Sequence, residues 1–403
     1  MRLHLKAFNA VTALAAAALI AGCSSVATVN QPAQRASGHA AVPTGPAVPT
    51  GPTASDLSGP GQSNVVTAAC TNSVSDAATL QRAIDSSAVG SLIEIKGPVC
   101  LLVRGITFLS DRTYTGYNTT GTILKQDGAM DYVLAAQAYT DNSSYTDDPV
   151  TIRDLTIQCN SSGNTDGIIV LNWQADVEGV DVEDCGGSGI VDTNTTANGH
   201  AINNTSVNSR FDNNFISDAH QYGFEVQDSD NSVTDGFFDN NEVAQSGLDA
   251  IHLENAAGWN ITGNNLYLDS QNGIYADRLF RTTISDNHVE DFGVTQTTGT
   301  WYGIVGTVQG GGVGSTISNN NISNDMTEGR NARYIYFCIT RTNYGTGYLA
   351  VTGNVVVGVR ANDVGLSFTG EPNKLVIASS GNEVSNVGTL KRDAPSVTDT
   401  AGE

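Results

Sequence analysis

Asn241-Glu242-Val243, Asn264-Asn265-Leu266, Asn287-His288-Val289, Asn320-Asn321-Ile322, Asn354-Val355-Val356 and Asn382-Glu383-Val384 repeat one short pattern: a turn residue, Asn, any residue, an aliphatic. Successive copies lie 23, 23, 33, 34 and 28 residues apart. A period in that range, with strand-length pieces between turns, belongs to a solenoid whose repeats bury their apolar sides on one another, not to a sandwich. Asn stacked at the same turn of successive coils can hydrogen-bond along the axis through its amide, and it tolerates left-handed backbone. A chance excess of loop Asn would not place an aliphatic two residues further on.

A second column runs in phase: Gly167-Ile168-Ile169-Val170, Gly189-Ile190-Val191, Gly223-Phe224-Glu225-Val226, Ala250-Ile251-His252-Leu253, Gly273-Ile274-Tyr275-Ala276, Gly303-Ile304-Val305 and Gly365-Leu366-Ser367-Phe368. The residue after the small one is always apolar, and two further on it usually is again. By the period-2 rule these face a core, and the residues between them face water.

Working outward to the N-terminal side, residues 75–84 read as a short amphipathic helix with Ser75 or Asp76 as N-cap and Leu80 and Ile84 on one face, followed by a strand at Ser91–Ile95. This order of helix, strand and Gly resembles the N-terminal cap of the pectate-lyase-like superfamily. The resemblance covers residues 65–390 and implies an all-β, right-handed parallel β-helix with a short N-terminal capping helix. Residues 391–403 are expected to form a disordered tail.

The first outward positions of the second column are Ile169, Val191, Glu225, His252, Tyr275, Val305 and Ser367, and the next are Leu171, Thr193, Gln227, Glu254, Asp277, Thr307 and Thr369. In both, the reactive members fall on the same three coils, with Asp249 and Arg278 at the edges. Coils stack about 4.8 Å apart, which would set Glu254 and Asp277 near the separation of a retaining glycosidase pair, and Glu225 and Asp277 near the inverting limit. Crowded carboxylates raise one another's pKa, which suits a general acid. The expected catalytic set is therefore Glu225, His252, Glu254, Tyr275 and Asp277, with Gln227, Asp249 and Arg278 binding substrate.

Two further resemblances give alternatives. Asn164-Thr165-Asp166-Gly167 is similar to a strand opening of polygalacturonases, and Glu183-Asp184-Cys185 and Gly199-His200-Ala201 to altered forms of their other motifs; this implies catalysis by Asp166, Glu183, Asp184 and His200. Tyr222-Gly223-Phe224-Glu225 resembles the start of a motif of the epimerase and lyase branch, which implies proton abstraction beside a uronate carboxylate by His252 with Tyr275 as acid. No cofactor is expected to be required, no Cys/His spacing marks a zinc site, and calcium is admitted on Glu254 and Asp277. Trp173, Trp259, Trp301 and Tyr302 serve either as sugar platforms or to cap coils.

The chain opens with Met1-Arg2-Leu3-His4-Leu5-Lys6 and an apolar run to Ala21, a signal peptide too short to anchor by spanning. Leu19-Ile20-Ala21-Gly22-Cys23 resembles a bacterial lipobox, which implies cleavage after residue 22, lipid on Cys23 and attachment at the cell envelope. Residues 23–64, rich in Pro, Gly, Ser and Thr, are expected as a disordered tether. Without Arg2 and Lys6 the mature chain carries 17 basic against 41 acidic residues, a charge that excludes nucleic acid as partner. Outside the cytoplasm disulfides are permitted, and Cys70 with Cys100, and Cys159 with Cys185, are plausible pairs; Cys338 is assigned to neither. The expected partner is an extracellular polysaccharide met by a monomer whose membrane contact is the lipid alone. Three functions fit: glycosidic cleavage by paired carboxylates, a uronate lyase or epimerase, and a non-catalytic glycan-binding, adhesin or scaffold β-helix.

Overall fold

A computed structural model of the chain describes residues 64–228, 231–295, 298–325, 331–339, 344–370 and 374–400. The signal peptide, Cys23, the tether up to residue 63 and residues 401–403 lie outside them. The body, within the unit Ala54–Glu403, is a stack of coils joined by parallel pairing. One face is an eleven-stranded parallel sheet: β1 (Ile106–Phe108), β2 (Tyr132–Ala136), β3 (Asp166–Val170), β4 (Ile190–Thr193), β5 (Phe224–Gln227), β6 (Ile251–Leu253), β7 (Ile274–Leu279), β8 (Thr300–Val308), β9 (Asn331–Ile339), β10 (Val364–Thr369) and β11 (Thr389–Asp393). The other faces are two further parallel ladders, fused where the long strands Val150–Gln158 and Ala175–Glu183 belong to both.

The repeated Asn closes the corner between those two ladders. Each of Asn214, Asn241, Asn264, Asn287, Asn320 and Asn354 donates from its backbone N–H and its Nδ2 to Oδ1 of the Asn one coil on, at 2.8–3.1 Å, ending at Asn382. Each Nδ2 from Asn214 to Asn382 also donates to a backbone carbonyl of the preceding coil. The left-handed backbone belongs to the residue before the ladder Asn: Asn213, Asn240, Gly263, Asp286, Asn319, Gly353 and Gly381 all have φ between 55° and 69°. The ladder Asn itself is needed for its amide. The aliphatics Val243, Leu266, Val289, Ile322 and Val356 beside it are buried, each worth about 1.5–3 kcal/mol. They press on the small-residue column: a Cβ at Gly223 would sit 2.3 Å from Val243 Cγ1, and one at Gly273 2.3 Å from Val289 Cγ1.

The helix at the open end runs Asp76–Asp85, with Ala77, Leu80 and Ile84 buried, so it keeps the first coil's apolar interior from water. Ser75 is the N-cap residue, one of the two expected. Ser75 makes no side-chain capping bond, and the buried Asp76 carboxylate instead accepts N–H groups of Thr71, Ser73 and Leu101, tying helix to sheet. The following strand is Leu92–Lys96, one residue later than expected. Both disulfides, Cys70–Cys100 and Cys159–Cys185, are formed. The expected tail is also corrected: β11 pairs with β10, and Val397–Asp399 pairs with Leu375–Ile377, so the sheets continue past residue 390. Trp259 is fully buried against Phe211 and Phe224 and packs the interior, whereas Trp173 is exposed.

Candidate active site

The eleven-stranded face carries the expected column in register: Ile169, Val191, Glu225, His252, Tyr275 and Val305 are successive partners, and the row continues through Tyr336 to Ser367, but of these only His252 and Tyr275 escape burial, so the rest do not face water as expected. Coil 331–339 escaped the column reading because Tyr334 stands where the other coils have Gly or Ala: Ile335 pairs with Ile304 and Leu366, which sets Tyr334 level with Gly303 and Gly365. A further row, two residues ahead of each first inward residue, was also missed. The ladder bonds Gly167 to Ser188, Gly189 to Tyr222, Gly223 to Asp249, Ala250 to Asn272 and Gly273 to Tyr302 set Ser188, Tyr222, Asp249, Asn272 and Tyr302 side by side.

His252 is the centre of the patch. Its ring stacks between Tyr222 (centroids 4.1 Å, 27°) and Tyr275 (4.6 Å, 9°). Its Nδ1 is 2.8 Å from Asp249 Oδ2. Asp249 is buried and its Oδ1 accepts from the Asn272 N–H and Nδ2. Asp249, expected to bind substrate, is thus buried, with its oxygens bonded to the imidazole and to Asn272. Burial alone would lower the His252 pKa, but the Asp249 bond and the charges of Asp249, Glu225 and Glu254 outweigh it and raise it above the ordinary value. Among the described residues no partner is bound to His252 Nε2 or to the phenol oxygens of Tyr222 and Tyr275. Burial and neighbouring carboxylates raise both phenols above their usual pKa, which keeps them protonated and able to donate.

The carboxylates divide by what holds them. Glu225 is nearly buried and accepts the Ser188 hydroxyl (2.6 Å) and Gln227 Nε2 (3.0 Å), while Gln227 also accepts from Thr193. Both carboxyl oxygens of Glu225 are thus taken up within the protein, which removes the open partner that a Glu225–Asp277 pairing needs, while Gln227 is half-buried. Glu254 is exposed, and one of its oxygens accepts the Asp228 N–H at 3.0 Å. Desolvation chiefly raises its pKa, with Glu225 and Asp228 adding. Asp277 sits where the β7–β8 register shifts between Ala276 and Leu279 and accepts the Thr307 hydroxyl. Its pKa is raised by burial against that bond and the Arg278 charge. Arg278, left-handed at φ 62° on the bulge, gives its Nε to Gln309 at 2.5 Å and lies over Tyr344.

The alternative set does not assemble. Glu183 ends a strand of another ladder with Asp181, Asp184 and Asp218 as its charged neighbours, Asp184 is a left-handed turn residue, and His200 is exposed on a loop. Asp166 instead joins the main patch. Its Oδ1 accepts the Ser188 N–H at 2.7 Å, and Ser188 bridges it to Glu225; burial, with Glu225 and Asp131 adding, pushes its pKa up to about 7. No group of three or more His, Cys, Asp or Glu able to hold a metal ion occurs among the described residues.

No family model and no curated protein matches the chain. Solved structures do match. The A-modules of the mannuronan C-5 epimerases AlgE4 and AlgE6 of Azotobacter vinelandii align at TM-scores of 0.55 and 0.53, with 16% and 14% identity, over 81% of this chain and 96% of each module. The Dettilon tailspike protein aligns at 0.54 with 13% identity, over 82% of this chain and 68% of its own. The fold is the right-handed parallel β-helix.

Proposed function

We propose that the chain is an envelope-tethered enzyme that cleaves glycosidic bonds of an extracellular polysaccharide on coils β5–β7, held there by lipid on Cys23. The observation that carries this is an open Glu254 of raised pKa on the coil of β6, with Asp277 following Tyr275 on the next coil, beside an imidazole and two phenols with free polar tips. Glu254 then protonates the leaving oxygen, Asp277 stabilises or attacks the anomeric carbon, and Tyr222 and Tyr275 donate hydrogen bonds to sugar hydroxyls. A neutral glycan suits the site, because its ionisable groups are mainly carboxyls, with the Arg278 guanidinium at the edge and its Nε held by Gln309. That the named neighbours include epimerases of mannuronan supports a glycan as ligand class.

A second reading rests on the Asp249–His252 dyad. With Nδ1 held by Asp249, Nε2 is directed as a base and Tyr275 as an acid for β-elimination or epimerisation of a uronate, where calcium on Glu254 and Asp277 would supply the missing positive charge. Incubating the purified chain with neutral and uronate polysaccharides separates the readings. New reducing ends without ultraviolet absorbance of an unsaturated sugar support hydrolysis, and that absorbance supports elimination. Inertness toward the whole panel, with binding retained, would leave a non-catalytic glycan-binding solenoid.

A further inference from the structure

Behind the eleven-stranded face, inside the coil, four buried side-chain oxygens on three residues lack hydrogen-bond partners. Asp192 occupies an inward position of β4, in register with Val170 and Val226. It is fully buried, and neither carboxylate oxygen is bonded. Asn172 lies one coil earlier, two residues beyond Val170; its Nδ2 donates to the Asp148 carbonyl at 2.7 Å, but its Oδ1 accepts nothing. The bond from the Val207 N–H to the Trp173 carbonyl (2.9 Å) lays Ser206 beside Asn172, and the Ser206 Oγ is likewise buried and unbonded. The hydroxyls of Ser206 and Ser209 face the Asp192 carboxylate but stay outside hydrogen-bond geometry. More than nine in ten buried polar groups find a partner, so three orphans on adjoining segments point to a missing ligand.

The donor set identifies its class. It is all oxygen, with no nitrogen or sulfur ligand, which disfavours zinc and copper and suits a hard cation. We propose that Asp192, Asn172 and Ser206, backed by Ser209, form an internal site for one hard divalent cation of the calcium type. Two carboxylates stand near it, Asp192 and the buried Asp228, whose oxygens accept the Ser232 and Val233 N–H groups and the amides of Asn194 and Asn255. Their combined charge matches a divalent ion better than sodium. Without a counter-charge, burial chiefly, with Asp228 adding, pushes the Asp192 carboxyl well above the usual carboxylate range. The ion would brace β4, whose Thr193 contacts Gln227 and through it Glu225.

The test uses the full chain after chelation, titrated with calcium, magnesium or sodium and followed by calorimetry and thermal melting. Expected is single-site calcium binding that raises the melting temperature, because the ion binds the folded state alone. The Glu254→Gln, Asp277→Asn double variant keeps this response and Asp192→Asn loses it. Should Asp192→Asn fail to fold, Asn172→Leu, which keeps the carboxylate, is expected to weaken calcium binding at least about tenfold. A chelated chain whose melting no cation shifts would sink the proposal, as would calcium binding unchanged in these variants or lost in the Glu254, Asp277 double variant. A response to sodium alone would overturn the divalent assignment.

Discussion

Two columns climb the same solenoid by opposite rules. At the corner, one residue type repeats from Asn214 to Asn382, and each amide bonds forward to the same atom of the next coil's Asn and back to a carbonyl of the coil before. On the eleven-stranded face the residue changes at each coil, from Val191 to Glu225 to His252 to Tyr275 to Val305, and Glu225 and His252 are held by residues of the row ahead, Ser188 and Asp249. Uniform stacking satisfies every amide and leaves no group for a ligand. The varied face leaves the His252 Nε2, two phenols and half of Glu254 open, and holds the Asp166, Glu254 and Asp277 carboxyls at raised pKa. A substitution should therefore cost stability at the corner and activity on the face.

The largest effect is expected from Glu254→Gln with Asp277→Asn, which should lower the rate of bond cleavage by about 10²–10⁴-fold, read from reducing ends or unsaturated product. Full activity would break the assignment. Next comes Asn264→Ala. It strips Oδ1 from the Asn241 N–H and Nδ2 and leaves buried donors unpaired, at about 2–4 kcal/mol in denaturant unfolding, whereas Asn382→Ala, at the less buried ladder end, should cost clearly less. Equal costs would mean the ladder is not a cooperative column. A smaller effect of opposite sign belongs to the face. The carboxyls of Glu254 and Asp277 have folded pKa values above their unfolded ones, so they stabilise at pH below the unfolded values, and that contribution is lost as pH rises through the folded ones. The double variant should therefore be more stable than the parent at neutral pH, by up to about 1 kcal/mol given solvent screening at Glu254, and not at acid pH. The smallest effect concerns His252. Its folded pKa is raised, so its contribution is complete below the unfolded value and fades as pH climbs through the folded one. Asp249→Asn should lower the His252 pKa in an NMR titration and shrink that window; an unmoved pKa would break the dyad.

How much of this the sequence displayed follows from the two rules. The corner was legible because its chemistry repeats, although Asn214-Phe215-Ile216, which fits the pattern, went unread one coil before the series quoted. The outward rows on β5–β7 were legible by alternation alone. Alternation cannot tell an open carboxylate from a committed one: Glu225 and Glu254 occupy outward positions of neighbouring coils, yet Ser188 and Gln227 cover the first. Asp249 and Tyr222 precede the small residue at which the strand pattern begins, so no period marked them. Asp192 did carry a signal, a carboxylate at an inward position, and only the three-dimensional neighbourhood of Asn172 and Ser206 shows its meaning.

The ladder also counts coils and ignores residues. Asn287, Asn320 and Asn354 stack as closely as Asn241 and Asn264 although 33 and 34 residues separate them instead of 23. The surplus lengthens the face, where β8 and β9 run nine residues against three in β6, and the connections leading into it. Such a chain can accept insertions on its eleven-stranded face at little cost to the stack. One face can then be remodelled a coil at a time, while the corner keeps the coils aligned.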